Sequence, residues 1–381
     1  GAVGPNHLVS FLNTEVGFFD KAGNKTNLTT TLDAFWRPLI TSKSLPNDPF
    51  DPKVLFDQHS GRFVAMTIDG QPPEKSWVLL ARSNSSDPGQ GWSQWAIPAD
   101  NNLWADYPGL GVDANNIYIT TNLFDNTDNF HYIKVWVVPK ASLPPTGQDL
   151  TNATALPNPF NFTGPLNGGP FSFQPTHVFG TPGDAYIVGE QSPAGSALRV
   201  GKIYPLPFAD LGAVGVSSYP VPTTFILPVA PFDRIDTGDS RILNVVHRNG
   251  HLFTTHTIPD PTLTKTRVRW YELSTAPLSK IQEGTISDPN RFYYYPSIAV
   301  NSTGDIAIGF SGSSSSPAEY AGAYYTARRA ADPAGVMQPV TLLKSGLASY
   351  FKTFSGTDNR WGDFSATVVD PVDDTTFWTL Q

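Results

Sequence analysis

Residues 51–69 have the sequence DPKVLFDQHSGRFVAMTID, in which two short apolar runs flank a polar turn. Runs of this length, bounded by Asp, Gly and Ser, predict a β-hairpin. Helical periodicity is almost absent, even in residues 320–331, where it is best developed, so the sequence predicts an all-β chain. The hairpin pattern returns at residues 106–123, 174–190, 239–257, 295–310 and 363–380, and a weaker copy occupies residues 1–13.

The spacing of these copies predicts the architecture. Successive copies start 55 to 68 residues apart (51 to 106 is 55, and 106 to 174 is 68), which leaves room for four strands in each unit. Four-stranded units that repeat around an axis form a β-propeller. We therefore predict a single propeller domain over residues 1–381, with the first strand of each hairpin innermost. Seven blades are preferred because residues 1–13 begin like the other units. Six result if the N-terminal strands complete the last blade. A β-sandwich or two unrelated β domains is the alternative.

The composition argues against several classes of function. The formal net charge is −8 and there is no basic run, which argues against a nucleic-acid partner. The chain has no Cys, so disulfides, thiolate zinc sites and Cys nucleophiles are excluded. No apolar run approaches the ~20 residues of a membrane helix. We expect a protein that needs neither nucleic acid nor membrane, and we expect a monomer.

The sequence also favours an extracellular location. Ser, Thr, Asn and Pro are abundant, and Asn-x-Ser/Thr sequons predict glycosylation of a secreted protein. The six sequons begin at Asn24, Asn27, Asn84, Asn152, Asn161 and Asn301.

Residues 85–92 (SSDPGQGW) match the Ser-x-Asp-x-Gly-x-x-Trp turn known as the Asp-box. This resembles the turn between the third and fourth strands of blades in sialidase-like propellers, and it falls at that place in the unit that starts at Asp51. Five segments spread over nearly the full length also resemble a broad group of secreted bacterial and fungal propeller proteins: residues 1–13, 51–64, 105–122, 295–314 and 360–381. The resemblance implies a propeller and export, without assigning an activity. The Arg-Ile-Pro motif of sialidases is missing, and no arginine triad can be placed.

The residues that lead into each innermost strand form the predicted site. In a propeller these loops converge on one face around the axis, and here they are polar or aromatic although only 15% of the chain is charged. Catalytic roles are predicted for Asp106, His177, Arg241, Tyr295 and Asp363. Substrate-binding roles are predicted for Trp104, Tyr107, Arg360 and Trp361.

This set of residues suits an acidic glycan. An Arg can hold a carboxylate through two hydrogen bonds, aromatic rings can cover sugar rings, and His177 or Tyr295 could act as general acid or base. We therefore predict an enzyme that cleaves a uronate- or sialate-containing polysaccharide or glycoprotein glycan, as a lyase or a hydrolase. Glu190 is the Glu that we would test for a hydrolase.

Three alternatives remain open at this stage. The chain could be a lectin without catalysis, or a secreted structural or partner-binding protein. The neighbouring charges, such as Asp239 with Arg241 and Arg360 with Asp363, could be ion pairs that stabilise the fold. No cofactor is required by the sequence, but several aspartates at the axis could hold Ca²⁺ in a central channel. The metal ligands are unknown.

Overall fold

The computed structural model describes residues 1–161, 171–180, 183–191, 195–220, 235–315, 317–353 and 359–381. Contacts between Cα atoms divide the chain into two compact units. Unit 1 comprises Gly1–Ile187, Gly201–Asp210 and Asp370–Asp373. Unit 2 comprises Val188–Val200, Leu211–Val369 and Asp374–Gln381. Within the described residues the secondary structure is nearly all β, with a single α-helix, and this confirms the predicted all-β class.

Unit 1 contains a three-stranded sheet followed by two four-stranded antiparallel groups. The first sheet is β1 (Ala2–Val3), β2 (His7–Phe11) and β3 (Val16–Asp20). The helix α1 (Leu32–Lys43) follows it. The next group is β4 (Pro49–Asp57), β5 (Arg62–Asp69), β6 (Trp77–Ser83) and β7 (Trp92–Pro98). The last is β8 (Trp104–Val112), β9 (Asn116–Phe124), β10 (Phe130–Pro139) and β11 (Thr154–Pro157), and β12 (Phe171–Val178) pairs with β8 in parallel.

Unit 2 contains two further four-stranded antiparallel groups and a final hairpin. The first group is β16 (Asn244–Arg248), β17 (His251–Pro259), β18 (Thr266–Thr275) and β19 (Leu278–Ile286). The second is β20 (Arg291–Val300), β21 (Ile306–Ser315), β22 (Ala318–Arg328) and β23 (Thr341–Lys344). The hairpin is β24 (Ala366–Val369) and β25 (Phe377–Leu380). Strands β13 (Ala185–Glu190), β14 (Ala197–Tyr204) and β15 (Ala209–Gly215) are divided between the two units.

The predicted hairpins are confirmed wherever both strands lie in one unit. These are β4–β5, β8–β9, β16–β17, β20–β21 and β24–β25. Turn chemistry explains why the chain reverses there. In β16–β17, Arg248 pairs with His251 across a two-residue loop. The loop residues Asn249 and Gly250 both have positive φ, as the favoured hairpin turn requires. The number of blades stays a prediction.

Apolar faces hold the sheets of unit 1 together. One cluster joins the β4–β7 group to the β8–β11 group and includes Met66, Trp95, Ile119 and Trp136, all of them buried. Burying a large apolar side chain of this kind stabilises the fold by about 1.5–3 kcal/mol.

The helix α1 was not expected from the sequence. Thr31 caps its first turn by accepting a hydrogen bond from Ala34 N at 3.1 Å, and Ser44 ends it in the left-handed conformation. Trp36 and Ile40 are buried one turn apart, so an amphipathic pattern is present. Pro38, inside the helix, disguised that pattern, because an internal Pro usually ends a helix. Residues 320–331, the best helical candidate, belong mainly to strand β22.

The first strands of three hairpins share the same irregularity. The pairing register shifts by one residue between Phe50 and Lys53 in β4, between Asp106 and Gly109 in β8, and between Tyr294 and Ser297 in β20. At each shift a residue with φ near +50° precedes a Pro. The three pairs are Asp51-Pro52, Tyr107-Pro108 and Tyr295-Pro296. These are β-bulges, which bend a strand and redirect a side chain.

Candidate functional site

Arg360 lies between two carboxyl groups in unit 2. Its partly exposed guanidinium (side chain 43% exposed) donates to Asp363 Oδ2 at 2.6 Å. Its Nε lies 4.0 Å from Asp236 Oδ2, whose side chain is only 4% exposed. Burial lowers the pKa of Arg360, but the charges of Asp363 and Asp236 outweigh that effect and raise the pKa overall. Arg360 is therefore a fixed cation between two carboxyl groups.

The backbone around Arg360 is held in place by a neighbouring segment. Asp236 N donates to Asn359 O at 2.9 Å, and Asp236 and Arg360 form an isolated parallel bridge. The side chain of Asn359 accepts from Lys352 N at 2.6 Å and donates to Tyr350 O at 2.7 Å. The backbone that carries Arg360 is thus held by the segment at Asp236 and by the segment 350–352.

Tyr295, at the bulge of β20, contacts the segment that contains Asp236. Its hydroxyl donates to Asp236 O at 3.1 Å, and its backbone N donates to Thr257 Oγ1 at 3.1 Å. A Cβ at Gly238, where φ is +72°, would lie 2.9 Å from the Tyr295 ring, so a glycine is required there. Burial, followed by the charges of Asp363 and Asp236, raises the pKa of Tyr295 well above its usual value. The phenol is a proton donor at neutral pH and is not suited to act as a base.

Asp239 and Arg241 form a second ion pair on the same segment. Arg241 Nε donates to both carboxylate oxygens, at 2.7 and 2.9 Å, and Nη2 donates to Oδ2 at 2.5 Å. Burial raises the pKa of Asp239, but the Arg241 charge and its hydrogen bonds outweigh burial and lower the pKa. Asp239 therefore stays ionised.

Glu190, at the end of β13, is a buried carboxyl beside this pair. It is 8% exposed and accepts from Tyr219 Oη at 2.7 Å and from Ser240 Oγ at 2.8 Å. Burial raises its pKa to about 7, although both hydroxyls lower it. Glu190 thus holds a proton at a pH where Asp239 is ionised, and Ser240 directly follows Asp239 in the chain.

The buried His256 contacts the backbone of Ser240. His256 Nδ1 lies 2.5 Å from Ser240 O, and its Nε2 lies 3.0 Å from Tyr271 Oη. Burial lowers the pKa of His256 to about 4, so it is neutral at neutral pH. This neutral imidazole positions the Ser240 backbone without adding charge.

Trp361 completes the cluster next to Arg360. Its indole Nε1 donates to Ser311 Oγ at 3.0 Å, and its ring meets Tyr350 edge to face at a centroid distance of 4.9 Å. The ring is half-buried.

The structure therefore brings several predicted residues together in unit 2. Arg360, Trp361, Asp363 and Tyr295 lie in one cluster, and Arg241 joins it through the segment 236–241. The alternative interpretation of the charges is also confirmed, because Asp239–Arg241 and Arg360–Asp363 are ion pairs.

Three predicted residues lie close together in unit 1, on strand β8. Trp104 Nε1 donates to Asp125 O at 2.9 Å, and Asp106 lies opposite Asn122 on β9. Tyr107 follows in the bulge and is buried, so its ring offers no face to a sugar. The predicted sugar contact of Tyr107 is wrong.

The predicted position of His177 is also wrong. His177 lies opposite Val112 at the far end of β8, six residues beyond Asp106 and thus about 20 Å away along the strand. Its Nε2 is 2.8 Å from Gln58 Oε1, and its ring stacks on Phe179. The sequence pattern predicted the hairpin unit around residues 174–190. It did not show that His177 lies at the end of β12 and not at its start.

Four residues of the candidate site were not predicted from the sequence: Asp236, Ser240, Tyr219 and His256. The signal that could have found Asp236 was in the sequence, since residues 235–241 (IDTGDSR) place two Asp and an Arg around a Gly. The contacts of Glu190 with Tyr219 and Ser240 join residues 29 and 50 positions away, which no local pattern reveals.

In the described part of the chain, no three His, Asp or Glu side chains are grouped so that they could hold a metal ion. No helix among those residues has the length and apolar content of a membrane span.

Known proteins give only distant likenesses. No protein-family model matches the chain. No curated protein matches it either. Among solved structures, a Synechocystis apocarotenoid oxygenase is similar with 11% identity over 90% of this chain and 71% of that chain, at a TM-score of 0.47. A Hadza microbial sialidase shares 13% identity over 84% of this chain and 61% of its own, at 0.45. The Trypanosoma rangeli sialidase shares 10% identity over 98% and 56%, at 0.43.

Proposed function

We propose that this chain is an extracellular β-propeller enzyme that cleaves an acidic glycan, and that the cluster around Arg360 in unit 2 is its reactive site. The observation that supports this most directly is the partly exposed guanidinium of Arg360, held against Asp363 beside the half-buried ring of Trp361. A uronate or sialate carboxylate would replace Asp363 on Arg360 and form two parallel hydrogen bonds.

The carboxyl groups favour hydrolysis over elimination. Most glycoside hydrolases use one protonated and one ionised carboxyl group. Glu190, with its pKa raised by burial, would be the acid, and Asp239, kept ionised by Arg241, would be the carboxylate partner. A lyase would need a base, and Tyr295 is a poor one because its pKa is raised well above the usual value. We therefore rank a hydrolase first and a lyase second.

A lectin-like protein is the competing proposal. Arg241 and Arg360 are each already paired with an Asp, so their charges are balanced without a ligand. Such a site could exchange an internal carboxylate for that of a sugar and bind without turnover.

The segment 85–92 supports the propeller part of the proposal. It connects β6 to β7, the third and fourth strands of their sheet. Gly89 N donates to Asp87 Oδ1 at 2.8 Å, and Trp92 Nε1 donates to Pro88 O at 3.1 Å. We infer that this turn is an Asp-box and that the sheets are propeller blades, with seven preferred.

The location, oligomeric state, partner and bound ion of the protein are predicted from the sequence alone. Secretion, a monomeric state, a glycan as the partner and a bound Ca²⁺ stay predictions. Comparing the thermal midpoint with Ca²⁺ and with EGTA tests the ion: a lower midpoint in EGTA supports it, and equal midpoints contradict it.

The function is tested by incubation with a panel of uronate- and sialate-containing glycans. Reducing ends report hydrolysis, and the ultraviolet absorbance of unsaturated products reports elimination. We expect reducing ends from at least one glycan with the wild-type protein, and loss of that activity in Glu190→Gln and Arg360→Ala. Arg329→Ala, at an exposed site, is the matched control. Tight binding with no product from any glycan would favour the lectin instead.

A further inference from the structure

A row of aromatic side chains crosses one end of the β8–β10 sheet in unit 1. Trp104 and Phe124 are direct partners across β8 and β9, and Phe124 and Phe130 are partners across β9 and β10. Their ring centroids are 5.3 and 5.8 Å apart. Phe171, at the start of β12, lies 5.0 Å from Phe130. All four rings are half-buried, so the row has exposed edges or faces.

A row of polar groups lies directly below the aromatic row. Asp106 and Asn122 are partners two residues further into β8 and β9. Because side chains alternate along a strand, they share the face of Trp104 and Phe124. Asn122 Nδ2 donates to Ser172 Oγ at 2.7 Å, and Ser172 N donates to Asn122 Oδ1 at 3.1 Å. Asn122 and Ser172 are buried and bonded to each other, so the polar group that this face adds beside the rings is the half-buried carboxylate of Asp106.

The turn above the row fixes the orientation of the rings. Trp104 Nε1 donates to Asp125 O at 2.9 Å. The Asp125 side chain accepts from Thr127, Asn129 and His131. The turn and Trp104 therefore form one rigid unit.

The charge around the row is negative. Asp106 and Asp125 flank it, and Asp128 lies in the exposed turn. The nearest cation on these strands, Lys134, donates to Ala99 O at 2.6 Å and lies 3.6 Å from Asp100. An acidic ligand would meet like charges here, whereas a neutral one would not.

We propose that this aromatic row binds a neutral glycan chain. Sugar rings present an apolar face of C–H groups, which covers aromatic rings, and hydroxyl groups at the edge, which donate to carboxylate oxygens. The aromatic row and the half-buried Asp106 carboxylate below it supply both kinds of group on one face. The site uses residues of unit 1 and does not depend on the reaction proposed for unit 2.

The test is native gel electrophoresis through gels that contain a soluble neutral polysaccharide: a β-glucan, a mannan or a xylan. We expect at least one of them to retard the wild-type protein. Loss of one aromatic contact should weaken this binding about three- to ten-fold in Phe130→Ala. Phe130→Leu keeps an apolar side chain of similar size, so it should fold and still bind more weakly. Phe351→Ala, at an exposed Phe of unit 2, should bind as the wild type does.

Three outcomes would overturn the proposal. One is the absence of retardation by every neutral polysaccharide, which is also the result expected if the row covers an apolar peptide. Another is unchanged retardation of both Phe130 variants. The third is retardation by an acidic polysaccharide alone. Each is distinct from failure of the unit 2 reaction, which is measured by product release.

Discussion

At the scale of single residues, Glu190 is a carboxyl group of the candidate site whose pKa is raised by burial. Its burial disfavours the charged form, and two hydroxyl donors only partly compensate, so its pKa rises from 4.5 to about 7. A buried protonated carboxyl next to an ionised one is the arrangement in which acid and base roles separate. Because the shift comes from folding, it must also appear in the pH dependence of stability.

Glu190→Gln should change that pH dependence. The folded chain binds the Glu190 proton more tightly than the unfolded chain does. Its contribution is therefore complete below pH 4.5 and is lost as the pH rises to about 7. The shift corresponds to about 3 kcal/mol at most. We expect the wild type to lose stability relative to Glu190→Gln between pH 5 and pH 8, measured by urea unfolding.

His256 also makes the stability depend on pH, with the opposite sign to Glu190. Its pKa is lowered by burial to about 4, so its contribution is present above pH 6.5 and is lost as the pH falls towards 4. His256 is common to both proteins, so its effect cancels in the difference. A difference in stability that stays constant from pH 5 to pH 8 would show that Glu190 does not titrate as described.

At the scale of elements, strands β4, β8 and β20 each contain a β-bulge of the same kind. Asp51, Tyr107 and Tyr295 adopt left-handed backbone angles immediately before Pro. The Pro has no N–H, so it leaves no ladder donor unpaired at the bulge. Neighbouring side chains bond the backbone there, since Asp51 N donates to Asn13 Oδ1 and Tyr295 N to Thr257 Oγ1. The bulge redirects the residue at the start of the strand, where the site residues lie.

The bulge at Asp51 predicts an unusual order of stability. A left-handed residue tolerates Gly and disfavours β-branched side chains. Asp51→Gly should therefore be more stable than Asp51→Val by about 1–2 kcal/mol. Lys53, beyond the bulge on the same strand, should show the reverse order, with Lys53→Val more stable than Lys53→Gly by about 1 kcal/mol. Urea unfolding of the four variants gives both differences, and the same order at both positions would rule out the bulge.

Elements were predicted well where the signal is local. Two-residue alternation and turn residues identify hairpins such as β16–β17, because both depend on neighbours in the chain. The bulges depend on the pairing register between strands, which the sequence pattern does not give. The Pro at each bulge was visible, but its role requires knowing what lies opposite. The helix α1 was missed because Pro38 hides an otherwise regular apolar stripe.

The candidate site was predicted only in part, for the same reason. Arg360 and Asp363 are three residues apart, so their pairing was foreseeable. The contact of Glu190 with Ser240 spans 50 residues and needs the fold itself. His177 was misplaced because a lead-in residue and a residue at the strand end look alike in the sequence.

At the scale of the whole molecule, the sequons differ in how exposed their Asn side chains are. Asn24, Asn27, Asn84 and Asn161 are exposed and Asn152 is half-buried. The sequon at Asn161 extends into residues 162–163, which lie outside the described part of the chain. Asn301 is buried, and its Nδ2 donates to Asp305 Oδ2 and to Thr375 O, both at 3.2 Å. A glycan would displace both contacts, so in contrast to the sequence prediction we expect Asn301 to carry none.

Expression through a secretory pathway tests this assignment. Peptide mass spectrometry of the folded, secreted protein should show glycan on Asn27 and none on Asn301. Asn27→Gln should leave the thermal midpoint unchanged, and Asn301→Gln should lower it, because it breaks the turn that Asn301 holds. Glycan on Asn301 of the folded protein would contradict the described turn.

The central claim is that Arg360 recognises a carboxylate on a glycan. The most direct measurement is isothermal titration of the wild type and of Arg360→Ala with an oligouronate, a sialyl-oligosaccharide and the carboxyl-reduced form of each. We expect the wild type to bind at least one acidic form at least ten-fold more tightly than its reduced counterpart, and Arg360→Ala to lose that preference. Equal affinity of the wild type for acidic and reduced forms, or a preference that survives in Arg360→Ala, would contradict the account.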